Sequence, residues 1–260
     1  MTTGAGRLSL VSSAHERTGI LFVSTQPREP IAELGLPRDD EWFRTAIGTG
    51  PDVPEMRVLY APEDTLPTTI EESGIIIGGS SLSVYDTDPW IGDVEDIVKF
   101  AHQVGKPLLG VCFGHQVVAQ ALGGTVRKNP AGREFGNVTV GLTSHGLDDP
   151  LFEGILEQFA ALASHSDAVI VPGRDVTVLA GNSNSAYQAL GYGANIRTVQ
   201  FHPEVTPPIL RRVALARREV LMQSGAFPDD AAFQAFADGF RATPDARRVV
   251  HNFVENFVRS

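Results

Sequence analysis

The chain has 260 residues, 42% hydrophobic and 20% charged, with 21 basic against 31 acidic side chains and a net charge of -10. That length buries a sizeable core without disulfides or metals, and the composition excludes a disordered chain. The acidic balance opposes a nucleic-acid partner, which needs a concentrated basic face, and no apolar run approaches the ~20 residues that span a bilayer.

The N-terminal stretch MTTGAGRLSLVSSAHERTG carries an Arg but no long apolar run, so no secretory leader is expected. The single cysteine, Cys112, rules out an intrachain disulfide and a multi-cysteine zinc site, and suits a reducing compartment such as the cytoplasm. None of the seven histidines forms a His-x3-His pair, so no metal and no cofactor is expected.

In chain order, Gly19 to Gln26 reads as a first strand, Met56 to Ala61 as a second and Gly74 to Ile77 as a third that runs into Gly78-Gly79. Near-continuous apolar strands of this kind suit a sheet covered on both faces. Trp90 to Val104 carries Ile91, Val94, Ile97, Val98, Ala101 and Val104 at helical spacing. The strand Leu108 to Val111 and the helix Gly114 to Leu122, stopped at Gly123-Gly124, come next. Strand, helix, strand, helix predicts a parallel sheet with right-handed crossovers.

From Thr125 the pattern turns to β segments, with candidates at Val138 to Leu142, Val176 to Ala180, Ala186 to Leu190 and Arg197 to Phe201. After Pro208 it is helical again. Phe233, Phe236 and Phe240, like Val250, Phe253 and Phe257, are spaced to face a core. With no repeat, low-complexity tract or long linker, residues 1–260 read as one domain with a core over about 19–206 and a helical extension over 207–260. Residues 207–239 are expected to close the core rather than to cap a site.

A lone cysteine is by default a small buried hydrophobe. Cys112, however, lies between a buried strand and a helix, with Gly110 and Gly114 two residues to either side. Glycines at those positions relieve crowding in a sharp turn, the geometry of a nucleophile elbow with sulfur in place of oxygen. Such a turn thrusts the side chain out at the carboxyl edge of the sheet, where open α/β folds bind ligands, and the helix N-terminus favours the thiolate.

A thiol nucleophile needs an imidazole to take its proton and a carboxylate to orient that imidazole. The strand Arg197 to Phe201 delivers His202-Pro203-Glu204, where alternation puts His202 and Glu204 on one face. His165, in Ser164-His165-Ser166-Asp167, also has a carboxylate at i+2, and spacing alone leaves it as a rival base.

GVCFGHQVVAQALGG (110–124) and VQFHPEVT (199–206) resemble the two signature segments of class I glutamine amidotransferase domains, most nearly that of GMP synthetase. GIIIGGS (74–80), GREFG (132–136) and SHSD (164–167) are similar to that family's further segments, in the same order. The resemblance covers 19–206. It implies an α/β, flavodoxin-like fold: an open, mostly parallel central sheet with flanking helices and a small additional β-sheet. It further implies Cys112 as nucleophile, His202 as base and acid, Glu204 as its orienter, and the backbone N–H groups of Gly79 and Phe113 as the oxyanion hole. Gln116, with the main chain of Ser166 and Asp167, matches positions that hold the amino-acid end of glutamine.

Ser80 stands where the family usually has proline, so the loop 80–86 is expected to be either more mobile or shaped for another substrate. A chain ending at Ser260 is expected to stand alone, without a synthase domain. The favoured function is a glutaminase that hands ammonia to a separate synthetase or transferase. The alternative is a self-sufficient γ-glutamyl hydrolase or peptidase acting on γ-glutamyl amides. A catalytically vestigial binding protein ranks last, because Cys112, His202, Glu204 and Gln116 are all present.

Overall fold

The computed structural model describes residues 11–29, 34–50, 53–67, 69–223 and 225–259; residues 1–10, part of the stretch read for a leader, lie outside them. The strands are β1 (Val11–Ser24), β2 (Glu55–Tyr60), β3 (Thr69–Ile77), β4 (Leu108–Val111), β5 (Thr125–Lys128) and β6 (Glu134–Leu142), followed by β7 (Gln158–His165), β8 (Asp167–Val171), β9 (Val176–Gly181), β10 (Ala189–Tyr192) and β11 (Ile196–Val199). The helices are α1 (Asp39–Ile47), α2 (Pro89–Val104), α3 (Phe113–Ala121), the single turn α4 (Ser144–Leu147), α5 (Pro207–Ala216), α6 (Arg218–Met222), α7 (Asp230–Asp238) and α8 (Pro244–Phe253).

Nine strands form one sheet in the order β2-β1-β3-β4-β11-β10-β9-β6-β7, and β5 pairs with β8 in a small second sheet. The run from β2 to β11 is parallel throughout, in the flavodoxin-like order, whereas from β11 to β7 every pairing is antiparallel. The expected fold class therefore holds, with the parallel character concentrated in one half of the sheet.

Alternation along β1 builds both faces at once. Ile20 and Phe22 enter one apolar cluster, and Leu21 and Val23 the other, all four with no exposed surface. Each such side chain stabilises the fold by about 1.5–3 kcal/mol. The second cluster is covered by α2 and α3. Helix α2 starts on Pro89 and stops at Gly105, whose φ of 70° lets its N–H return to Ala101 O. The first cluster is covered by α1 and by α8, which buries Val249, Val250 and Phe253 and runs on as a π-helical turn, Val254–Val258. That turn lies so close to β3 that a Cβ on Gly74 would stand 2.6 Å from Val258 Cγ2.

Helices α5 to α7 lie over Phe135 of β6 and Leu162 of β7, with Phe236 and Phe240 ringed around Phe135 at 6.3 and 6.1 Å. The apolar stripes there face a core, as the spacing predicts. Helix α1 and strands β5, β7 and β8 are not foreseen by the sequence pattern. In β5 only Val126 is buried, and β7 (QFAALASH) is rich in alanine, a helix former that sheet packing overrides.

Candidate active site

Three strand ends of the parallel half converge at its centre. Strand β4 ends at Cys112, its neighbour β3 at Gly78-Gly79, and its other neighbour β11 leads to His202. Cys112 takes φ 55°, a left-handed conformation that a side chain adopts only when its surroundings impose it. The imposing contacts are backbone. A Cβ on Gly110 would sit 2.5 Å from Gly114 O, and one on Gly114 would run into the Ile77 carbonyl. Cys112 is thus the N-cap of α3, 5% exposed, with its own N–H donated to Val199 O at 2.9 Å.

Strand β11 stops at Val199, two residues earlier than predicted, and the chain bends through 200–204. It stays anchored because Gln200 N–H donates to Gln188 O and His202 N–H to Leu162 O, both at 2.8 Å. The bend still brings His202 Nδ1 to 2.7 Å from Glu204 Oε1, and it sets the ring beside Cys112, with Gly79 against both. Burial opposes charge on that ring, but the Glu204 carboxylate and then Cys112 outweigh it and hold the imidazole well above its ordinary value. His165 is differently placed. Its Nε2 faces Glu134 Oε2 and its Nδ1 the Asp167 carbonyl, each at 2.9 Å, so neither nitrogen is left for the thiol.

Gly79 completes the centre. A Cβ there would stand 3.0 Å from His202 Cε1 and 3.6 Å from Cys112 Cβ, so the glycine lets the two side chains close in on this backbone. Its N–H meets no acceptor among the described residues. Phe113 is the first residue of α3, where helix N–H groups have no intrahelical partner.

Residues 55–217, more than half the chain, match the family Glutamine amidotransferase class-I. The chain belongs to that family. It is therefore an amidotransferase-type hydrolase, and the fold is shared with solved relatives. A glutamine amidotransferase from Thermotoga maritima superposes with a TM-score of 0.69 at 19% identity, over 94% of this chain and 100% of that one. A glutamine amidotransferase from Methylobacillus flagellatus gives 0.68 at 17% identity, over 92% and 95%. In sequence the chain is 35% identical over 159 residues to the glutamine-hydrolyzing GMP synthase of Aeropyrum pernix, matching 61% of this chain and spanning 29% of the length of that enzyme. It is 34% identical over 149 residues to a subunit of the glutamine-hydrolyzing GMP synthase of Sulfolobus acidocaldarius, 57% of this chain and 76% of that relative.

In this amidotransferase a cavity of about 270 Å³ opens in front of Cys112, lined by Phe113, Gln116, Ser166 and Asp167. The Gln116 Nε2 hydrogens go to Asp167 O at 2.9 Å and Gln200 Oε1 at 3.0 Å, leaving its carbonyl oxygen to meet a ligand. The Asp167 carboxylate accepts from Ser83 Oγ at 2.5 Å, Tyr85 Oη at 3.0 Å and Lys128 Nζ at 2.8 Å. Burial would raise that carboxyl, but these partners hold it below the usual range. Ser83 and Tyr85 tie the loop after Ser80 to Asp167.

A second cavity, about 190 Å³, lies beside His202 and is lined by Gly79, His202, Glu204 and Asp39. Burial pushes the Asp39 carboxyl up to about 7, against a hydrogen bond from Ser24 Oγ at 2.7 Å. Arg217, the C-cap of α5, lines both cavities, so the helical extension closes the core and also reaches the site. Sequence reasoning missed Lys128, Arg217 and Asp39. Only Asp39 left a trace, as part of the acidic first turn of DDEWFRTAI.

Proposed function

We propose that the chain hydrolyses the side-chain amide of glutamine through a γ-glutamyl thioester on Cys112, releasing glutamate and ammonia for a separate synthetase or transferase. The observation that carries this reading is the placing of His202, hydrogen-bonded to Glu204, beside Cys112 at a strained strand-to-helix turn. His202 accepts the thiol proton as sulfur attacks the γ-carbonyl carbon, and the N–H groups of Gly79 and Phe113 take the charge growing on the carbonyl oxygen. The imidazolium then protonates the leaving nitrogen as the C–N bond breaks. Water, deprotonated by His202, cleaves the thioester. Gln116 Oε1 and the Ser166-Asp167 segment would receive the α-ammonium end.

The Sulfolobus acidocaldarius relative is one subunit of a glutamine-hydrolyzing GMP synthase, which supports a separate ammonia acceptor. The packing of Val258 on β3 supports reading residues 1–260 as one domain. A second reading, hydrolysis of substituted γ-glutamyl amides, is favoured by the cavity beyond His202.

The test is an acid-quenched reaction with glutamine, followed by ammonia assay and intact mass. A glutamyl adduct on the wild type is expected, with both adduct and ammonia lost in Cys112→Ala by at least about 10³-fold. Ammonia release that survives Cys112→Ala sinks the reading.

A further inference from the structure

The site has two compartments, and they divide the substrate. Cys112 and Gln116 line the first, while His202 and Gly79 line the second; Ser80, Ser81, Ser164 and Arg217 border both. The acyl half of an amide must lie with the nucleophile. The leaving nitrogen must lie with the acid that protonates it, so the second compartment receives the leaving amine. At about 190 Å³ it is far larger than ammonia requires, having room for on the order of ten waters. Leu36, Trp42, Phe43, Leu210 and Val213 give it an apolar wall.

Arg217 stands at the junction. Its guanidinium donates to Ser164 Oγ at 3.2 Å, and no carboxylate pairs with it among the described residues. Burial lowers its pKa, and the nearby Cys112 and Arg133 act on it in opposite directions. A partly buried guanidinium without a counter-ion is a ready partner for a ligand carboxylate, which it grips through two parallel N–H donors. Two carboxyls line the same compartment: Glu204 is engaged by His202 at 2.7 Å, and Asp39, pushed up to about 7 by burial, carries only about half a charge at neutral pH.

Resting on the second reading above, the hydrolysis of substituted γ-glutamyl amides, we propose that the substrate is a γ-glutamyl conjugate of an apolar amino acid, whose side chain fills the second compartment and whose carboxylate pairs with Arg217. The reaction balances without any further reagent. The Cys112 sulfur displaces the amino acid, whose nitrogen leaves with the proton taken from His202. Water then splits the thioester to glutamate and restores the thiol.

The test compares kcat/KM for γ-glutamylphenylalanine, γ-glutamylglycine, γ-glutamylphenethylamide and glutamine. The phenylalanine conjugate is expected to exceed the glycine conjugate, which lacks the apolar group, and the phenethylamide, which lacks the carboxylate, each by about tenfold or more. Arg217→Gln should collapse the ratio between phenylalanine conjugate and phenethylamide, and Val213→Trp the ratio between phenylalanine and glycine conjugates. Glutamine hydrolysed faster than all three conjugates overturns the inference and leaves amide hydrolysis standing. Equal rates for the phenylalanine conjugate and the phenethylamide overturn the Arg217 pairing. A wild type that turns over none of the four, with no acyl adduct, overturns both readings together.

Discussion

The two flanks of Cys112 are built in different ways. On the triad flank, Gly79, Cys112 and His202 each lie within three residues of the end of a buried parallel strand, and the strands stand side by side. Their positions are set by backbone contacts, such as Gly110 against Gly114 O, that tolerate no added atom. On the binding flank, Ser83, Tyr85, Lys128, Asp167 and Arg217 come from a loop, two edge strands and a helix end far apart in sequence. They are placed by side-chain hydrogen bonds and ion pairs. On the proposed function, chemistry rests on the flank set by backbone contacts, and selectivity on a network that substitutions can retune one bond at a time.

If the triad flank is the chemical one, Glu204→Gln should have the largest effect in this comparison. Removing the carboxylate that holds His202 should cost about 10²–10⁴-fold in kcat. It should also move the alkaline limb of kcat/KM to lower pH, because the imidazolium loses its strongest support. An unchanged pH profile would break the assignment of His202 as acid.

Asp39, beneath the same flank, offers a stability test. Its folded value of about 7 lies above the ordinary 3.8, so its contribution is favourable at low pH and is lost as pH rises through that window. Asp39→Asn does not titrate, and its stability relative to wild type should be roughly 2–3 kcal/mol better at pH 8 than at pH 5. Denaturant melts at the two pH values check this, and parallel curves would refute it.

The smallest effect belongs to the binding flank. Tyr85→Phe removes one of three donors on Asp167, worth about 0.5–1.5 kcal/mol. A several-fold rise in KM with kcat held is expected from steady-state assay. A loss confined to kcat would place the loop on the triad flank instead.

The sequence by itself determined the parts governed by short-range sterics and period. The strand-turn-helix at Cys112, the paired glycines ending β3 and the His-Pro-Glu segment could be read because glycine spacing and apolar runs answer to local backbone rules. The same rules located β4 without error and α2 to within a residue, but not β7, whose alanines hold a strand only because β6 pairs with them. Spacing left His202 and His165 open, since both carry a carboxylate two residues on, and tertiary structure separates their surroundings. Only the folded chain shows that His165 is taken by Glu134 while His202 pairs with Glu204 beside Cys112. It alone showed that α8 covers the sheet and that Arg217 enters the site. Those arrangements depend on which distant surfaces pack together, and packing sums many weak contacts that no short window of sequence contains.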